Sequence, residues 1–112
     1  MNISARNIGS CVVLDCSGKI TLGPGTMALR NAIRDAVKNG TKRIVLNLGD
    51  VSYIDSSGIG ELVSSFTHAS SQGSKLVLVN LTNKITELLS ITKLITVFEV
   101  FKDEKSALVG CQ

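Results

Sequence analysis

The feature that most constrains this fold is a pair of short apolar segments that flank an amphipathic helical pattern. The segments cover residues 43–48 (RIVLNL) and 75–79 (KLVLV), and their apolar residues occupy consecutive positions. Consecutive apolar positions predict strands that are buried on both faces, as in a parallel sheet covered by helices. Between the segments, apolar residues recur at helical spacing at Ile59, Leu62, Val63, Phe66 and Ala69. The pattern predicts a β-α-β unit whose two strands are parallel.

The rest of the chain continues this alternation of strands and helices. Two strands are predicted over residues 3–8 and 11–16, joined by a turn at Gly9-Ser10, and a later strand over residues 97–101. A helix is predicted over about residues 26–38, with Leu29, Ile33, Ala36 and Val37 on its buried face. A further helix would begin at Thr82 as N-cap and bury Ile85, Leu88 and Leu89, and Asp103 would cap a short last helix. We therefore predict one α/β domain over residues 1–112, with a mainly parallel central β-sheet of about five strands and about four α-helices.

Charge and hydropathy exclude two kinds of partner. The formal net charge of +3 comes from twelve basic residues scattered along the chain, and only Lys42 and Arg43 are adjacent. Binding to nucleic acid requires a basic stripe or patch, so we predict none. No apolar run approaches the ~20 residues that a membrane span needs, and residues 1–4 lack an apolar signal core. We expect a soluble, cytoplasmic protein without membrane insertion.

The cysteines and the single histidine do not indicate a metal or redox centre. Cys11, Cys16 and Cys111 form no Cys-x-x-Cys pair, and an odd number in a short chain argues against a disulfide framework. Reduced and mostly packed thiols are therefore expected. With His68 as the only histidine, no spacing typical of zinc ligands is present. We predict no metal site and no cofactor.

Residues 49–60 follow a buried strand and precede a helix, and we interpret them as the functional loop. In open α/β sheets the strand-to-helix connections commonly carry function. Asp55, Ser56 and Ser57 are all good N-cap residues, so Ser56 should lie at the start of the helix. Gly58 and Gly60 in the first turn each lose about 1 kcal/mol of helix stability relative to alanine. Two explanations stay open, namely a tight turn or a flat backbone surface on which another protein docks.

A phosphate on Ser56 would meet the positive end of the helix dipole and free N–H groups, so the modified chain should stay folded. The added charge of about −1.5 to −2 would instead change the surface that a partner contacts. On physical grounds alone, a plain N-cap without phosphorylation remains the more favoured interpretation of Asp55, Ser56 and Ser57.

Residues 51–60 (VSYIDSSGIG) closely resemble the hallmark of the anti-sigma factor antagonists, which are bacterial STAS domains. The resemblance extends to residues 44–48, 73–76 and 88–94. It implies that a serine kinase, which doubles as an anti-sigma factor, phosphorylates Ser56, with Ser57 as the secondary candidate. It further implies that the unphosphorylated form binds this kinase and frees the sigma factor, that a phosphatase resets the cycle, and that the chain is not an enzyme. The partner-binding residues expected by this resemblance are Asp55, Ser56, Ser57, Gly58, Ile59, Gly60 and Thr21.

Thr21 departs from the family pattern. Family members commonly carry an aspartate two or three residues after the glycine that is Gly18 here, and this chain has Thr21 in that region. The change removes a charge near the expected partner surface. It keeps open two alternatives, a STAS subunit of a stressosome-like complex or of a lipid-transport ABC system.

Two other function classes were weighed against this interpretation. A serine hydrolase would need His68 beside Ser56, but twelve helical residues separate them by ~18 Å, and no Gly-x-Ser-x-Gly motif surrounds the serines. A nucleotide-binding loop is suggested by residues 23–28 (GPGTMA), which fit Gly-x-Gly-x-x-Ala. Pro24 removes one N–H from that loop, and a helix-capping turn is the simpler interpretation.

Overall fold

One sheet of five strands organises the computed structural model, which describes residues 1–111. The elements are β1 (Asn2–Ile8), β2 (Cys11–Ile20), α1 (Pro24–Lys38), β3 (Arg43–Ile54), α2 (Ser56–Ser71), β4 (Lys75–Val79), α3 (Asn83–Ile91), β5 (Glu99–Phe101) and α4 (Glu104–Ala107). The strands lie in chain order; β1 is antiparallel to β2, and β2 to β5 are parallel. The predicted α/β class with a mainly parallel sheet is confirmed.

The sheet is buried on both of its faces. The main core lies between one face and the first three helices, and includes Leu14, Leu46 and Leu78 of the strands with Leu29, Leu62 and Leu89 of α1, α2 and α3. The second core is smaller, and joins Val13, Val45, Val77 and Val79 to Ala107 of α4. Because successive strand residues point to opposite faces, the consecutive apolar positions of β3 and β4 supply both cores.

β3 is twice as long as the sequence predicted. Residues 49–54 were expected in a loop, but they continue the strand, since β3 runs from Arg43 to Ile54. The reason is that β2 also continues to Ile20, with two register irregularities, and offers a pairing partner for this half of β3. Val51 and Ile54 are buried in the main core, which stabilises the extension. The loop between β3 and α2 is therefore reduced to Asp55.

The buried face of α2 is rotated from the predicted one. Leu62 and Ala69 are buried as expected, while Ile59, Val63 and Phe66 pack only partly against the core. The fully buried positions also include the polar residues Glu61 and Ser65, because α1 packs along this side of α2. Apolar periodicity could not reveal a buried carboxylate.

The predicted caps of the later helices are confirmed, and α1 begins two residues earlier than expected. Thr82 accepts a hydrogen bond from the Ile85 N–H at 3.2 Å, and Asp103 accepts one from the Ser106 N–H at 2.9 Å. Pro24 occupies the first helical position of α1, where its missing N–H has no consequence.

Among residues 1–111, no helix combines the length and the apolar character needed to cross a membrane.

The prediction that all three cysteines are reduced thiols is wrong for two of them. Cys16 is a free, buried thiol, but Cys11 and Cys111 form a disulfide across a sequence separation of 100 residues. The fold brings the start of β2 next to the segment that follows α4. Sequence spacing carries no signal for such a long-range contact, because it depends on strand order.

Candidate functional site

The candidate functional segment lies where β3 meets α2, at the carboxyl edge of the parallel strands. Asp55 is the N-cap of α2, and its Oδ1 accepts a hydrogen bond from the Gly58 N–H at 2.8 Å. The N–H groups of Ser56 and Ser57 belong to the first turn and have no partner within the helix. Ser56 is exposed to solvent, whereas Ser57 is half-buried. The predicted position of Ser56 at the helix start is confirmed.

Asp55 also ties the neighbouring loop to this helix start. Its Oδ2 accepts a hydrogen bond from the Leu22 N–H at 3.1 Å. The two N–H donors, that of Gly58 first and that of Leu22 second, stabilise the carboxylate and lower the pKa of Asp55. Thr21 precedes Leu22 in this loop and is half-buried, and its carbonyl accepts from the Thr26 N–H. The hydrogen bond from Leu22 to Asp55 thus places the loop that contains Thr21 beside the start of α2.

We predict that Asp55→Asn removes a pH-dependent part of the stability. The pKa of Asp55 is lowered by folding, so the carboxylate contributes stability above its unfolded pKa of about 3.9, and this contribution is lost as the pH falls through the lower folded pKa. Urea unfolding at a series of pH values should show wild type more stable than Asp55→Asn near neutrality, and the difference should shrink as the pH approaches about 2.

The matched control for this prediction is Asp50→Asn, which removes the same charge from an exposed position on β3. Its difference from wild type should stay smaller than that of Asp55→Asn at neutral pH. An Asp55→Asn difference that does not depend on pH would contradict the assigned role of the carboxylate.

Gly58 is buried, which corrects the interpretation of the two glycines as one exposed docking surface. A Cβ on Gly58 would lie 2.1 Å from the Ile20 carbonyl oxygen and 2.8 Å from Ile54 Cγ2. The glycine thus permits the first turn of α2 to pack directly on the end of β2. Gly60 differs, because it is exposed and its Cβ position has no atom within 4 Å. Of the two, only Gly60 offers bare backbone to a partner, and Ile59 packs partly into the core.

A groove of about 310 Å³ runs between α1 and α2 beside the serines. It is lined by Leu22, Thr26, Arg30, Ser57, Gly60, Glu61 and Ser64, and we call it the α1–α2 groove. At its base, Arg30 donates two hydrogen bonds, at 3.0 and 2.8 Å, to Oε1 of Glu61, and the Ser65 hydroxyl donates to Oε2. The Glu61 side chain is only 5% exposed, so this ion pair fixes α1 against α2 at the groove.

Three large apolar side chains, in the connection before α1, in α1 and in β3, are exposed to solvent. Leu22 is 76% exposed, Met27 is 57% exposed and Tyr53 is 41% exposed. Lys84 Nζ at the start of α3 lies 5.1 Å from the centroid of the Tyr53 ring, within the range of a cation–π contact. Sequence reasoning did not select Leu22 or Met27. Of the three, Leu22 lies beside the candidate site, because it lines the α1–α2 groove with Ser57.

The geometry does not support the two rival function classes. Ser56 and His68 lie on the same helix, α2, twelve residues and about 18 Å apart along its axis. A serine nucleophile and its base need hydrogen-bond distance, so this histidine cannot activate Ser56. In the loop before α1, a Cβ on Gly25 would lie 2.6 Å from the Lys19 carbonyl oxygen. That glycine packs on β2 instead of leaving an open cradle for phosphate.

The family of the chain follows from comparison with known proteins. The family model of the STAS domain matches residues 2–107, which include the whole sheet and the serine segment. The chain belongs to the STAS domain family. The resemblance noted in residues 51–60 is therefore confirmed at the level of the family, and extends over nearly the whole chain.

Relatives of this STAS domain include regulatory proteins and solved structures. The anti-sigma-B factor antagonist of Bacillus subtilis (strain 168) is 27% identical over 100 residues, which cover 89% of this chain and 90% of that protein. A Thermotoga maritima protein, described as a candidate anti-sigma factor antagonist, superposes with a TM-score of 0.86 at 23% identity, over 96% of this chain and 92% of that chain. Unphosphorylated SpoIIAA, an anti-sigma factor antagonist, gives a TM-score of 0.77 at 17% identity, over 96% of this chain and 95% of that chain. At these identities the solved structures establish a shared fold.

Proposed function

We propose that this STAS domain is an anti-sigma factor antagonist that is switched by phosphorylation of Ser56. In the unphosphorylated form it binds an anti-sigma factor serine kinase in the cytoplasm and releases the sigma factor. Phosphorylation of Ser56 ends this binding, and a phosphatase restores it. The chain acts as a kinase substrate and a binding partner, not as an enzyme. The curated relative from Bacillus subtilis supports this role, because it is named for the antagonism of an anti-sigma factor.

The observation that carries the proposal is the position of Ser56. Its side chain is exposed at the first residue of α2, directly after the N-cap Asp55, so a kinase can reach the hydroxyl without unfolding the helix. Ser57 is half-buried and lines the α1–α2 groove, which makes it the poorer acceptor. SpoIIAA, a protein of the same fold, is also known in a phosphorylated form, whose structure superposes on this chain with a TM-score of 0.70.

The fold should accept a phosphate on Ser56. The positive end of the α2 dipole and the N–H groups of the first turn favour a negative charge at this point. The Asp55 carboxylate is a nearby like charge, but its two oxygens already accept hydrogen bonds from Gly58 and Leu22. The N–H groups around both anions therefore offset the repulsion between the phosphate and the Asp55 carboxylate. The phosphorylated domain should keep its structure.

A docked partner should instead reject the phosphate. The exposed Leu22 lines the α1–α2 groove together with Ser57, the neighbour of Ser56, so a docked partner would bury this side chain against its own apolar groups. A group with a charge of about −1.5 to −2 in such an interface must be desolvated without compensation. The modification thus lowers affinity through the interface and leaves the fold unchanged.

The modified residue can be identified directly by mass spectrometry. The purified chain is incubated with ATP in an extract of its source cells, digested and sequenced, together with the variants Ser56→Ala and Ser57→Ala. We expect phosphate on Ser56 in wild type and in Ser57→Ala, and none in Ser56→Ala. Phosphate confined to Ser57, or no phosphate in the peptide that contains residues 55–60, would contradict the proposal.

The uncharged Thr21 favours a second class of partner. Thr21 lies in the loop that Asp55 joins to the start of α2 through a hydrogen bond. The aspartate that family members carry near this position is absent here, so the charge of the surface next to Ser56 differs from that of the family. A STAS subunit of a stressosome-like complex or of a lipid-transport ABC system would use this surface to bind other subunits, and would not cycle on and off an anti-sigma factor kinase. Size-exclusion chromatography of the complex recovered from source cells distinguishes the two functions. An antagonist bound to its kinase should elute as a small complex with kinase activity, whereas a subunit of a larger assembly should elute at high mass.

A further inference from the structure

A covalent cross-link ties the segment after α4 to the first residue of β2. Cys11 and Cys111 have Cα atoms 5.7 Å apart and their sulfurs are bonded. We propose that this disulfide is a reversible thiol–disulfide exchange site, which locks residues 108–111 onto the second face of the sheet when oxidised and releases them when a dithiol reduces it. The inference is independent of the proposed function.

Besides the cross-link, the contacts that hold the locked segment lie at its start. Arg43 Nη1 donates hydrogen bonds to the carbonyl oxygens of Ala107, at 2.7 Å, and of Val109, at 2.8 Å. Ala107 is buried in the second core, but the Val109 side chain is 71% exposed. α4 has only four residues, far fewer than an isolated helix needs to be stable. Leu108 packs partly against the second core, and beyond Val109 the cross-link is the main restraint on the residues that the structure describes.

The two sulfurs differ in their accessibility. Cys11 is buried, with 4% of its surface exposed, whereas Cys111 is half-exposed. A depression of about 160 Å³ opens over the bond, and is lined by Ser10, Cys11, Lys42, Arg43, Lys75, Gly110 and Cys111. An incoming thiolate can reach Cys111 Sγ from solvent, so Cys11 is the leaving group.

The charges around the depression favour this exchange. Lys42, Arg43 and Lys75 line it, although Lys75 is paired with Glu99 of β5. Arg43 Nη1 lies 3.6 Å from Cys111 Sγ, and Ser10 Oγ lies 3.9 Å from Cys11 Sγ. Cationic side chains attract the attacking thiolate and stabilise the thiolate that leaves, which accelerates thiol–disulfide exchange. Cys16 is different, because burial raises its pKa to about 12 and keeps it a protonated thiol.

The reaction balances with a dithiol as the reductant. Its first thiolate attacks Cys111 Sγ, the Cys11–Cys111 bond breaks, and Cys11 leaves as a thiolate that takes up a proton. In the resulting mixed disulfide, the first sulfur of the reductant is bonded to Cys111 Sγ. The second thiol of the reductant attacks that first sulfur and expels the Cys111 thiolate, which is also protonated. Two electrons and two protons pass to the protein, and the dithiol becomes a disulfide. Oxidised glutathione, a small-molecule disulfide, reverses the process.

The test follows thiols and amide exchange in the full chain. The folded protein is equilibrated with reduced and oxidised dithiothreitol, trapped with iodoacetamide and analysed by mass spectrometry, with hydrogen exchange measured in parallel. We expect no adduct on the oxidised chain, adducts on Cys11 and Cys111 after reduction, and exchange of residues 108–111 that is faster by about tenfold or more. Oxidised glutathione should restore both the bond and the protection.

The control variants separate the switch from a general loss of structure. The double variant Cys11→Ser/Cys111→Ser should show the fast exchange of residues 108–111 with or without dithiothreitol, while Cys16→Ser should respond to the reductant as wild type does. Unchanged exchange on reduction of wild type, or an oxidised product that consists of dimers linked through Cys111, would overturn the proposal.

Discussion

Gly58→Ala is expected to lower the free energy of unfolding by about 3 kcal/mol or more, a large share of the stability of a small domain. The new Cβ would lie 2.1 Å from the Ile20 carbonyl oxygen, which is a backbone atom and cannot rotate away. That carbonyl also accepts a hydrogen bond from the Asp55 N–H, so moving β2 would disturb the start of α2. Urea unfolding followed by circular dichroism measures the loss.

Gly60→Ala is the matched control, two residues further along the same helix. Its Cβ would meet no atom within 4 Å, and alanine is the better helix former. The variant should be as stable as wild type or more stable, by up to about 1 kcal/mol. If Gly58→Ala proved as stable as Gly60→Ala, the packing of α2 on β2 would not be the reason for a glycine at position 58.

These two glycines show what a sequence pattern can and cannot determine. The strands around Ile44 and Leu76 and the helix around Leu62 were predicted correctly, because continuous and helical apolar periodicities depend only on local order. The two glycines have the same local environment in the sequence, and only the approach of β2 distinguishes the buried Gly58 from the exposed Gly60. The extension of β3 to Ile54 was missed for a similar reason, since it depends on pairing with the distant end of β2.

The candidate site was predictable where it follows from capping chemistry. Asp55 as N-cap and Ser56 as the first helical residue could be inferred from residue type and position. The contact between Asp55 and the Leu22 N–H joins positions 33 residues apart, and the pair of Arg30 and Glu61 joins positions 31 residues apart. Such contacts arise from the packing of α1 beside α2, which composition and spacing do not specify. The same applies to the bond between Cys11 and Cys111.

Ser56→Asp is expected to weaken binding of the partner kinase by about a hundredfold, while Ser56→Ala keeps full affinity. This prediction depends on the proposed function. The aspartate places a permanent charge at the exposed start of α2, next to Ser57, which lines the α1–α2 groove with the exposed Leu22. The kinase is recovered on immobilised Ser56→Ala protein, identified by its ATP-dependent activity, purified, and titrated against each variant by calorimetry. Equal affinities of Ser56→Ala and Ser56→Asp would contradict the switch.

Thr67→Asp distinguishes a local effect from a change in net charge. Thr67 is exposed on α2, eleven residues beyond Ser56, so the variant adds the same charge to the same helix about 16 Å from the proposed interface. Its affinity for the kinase should stay within about threefold of wild type, because exposed charges at this distance are largely screened. The unfolding free energy of Ser56→Asp should also match wild type within about 0.5 kcal/mol, since a negative charge at a helix N-terminus is favourable. If Ser56→Asp loses binding and keeps its stability, the effect lies at the interface. If Thr67→Asp loses binding to the same extent, the cause is long-range electrostatics and not a contact at Ser56.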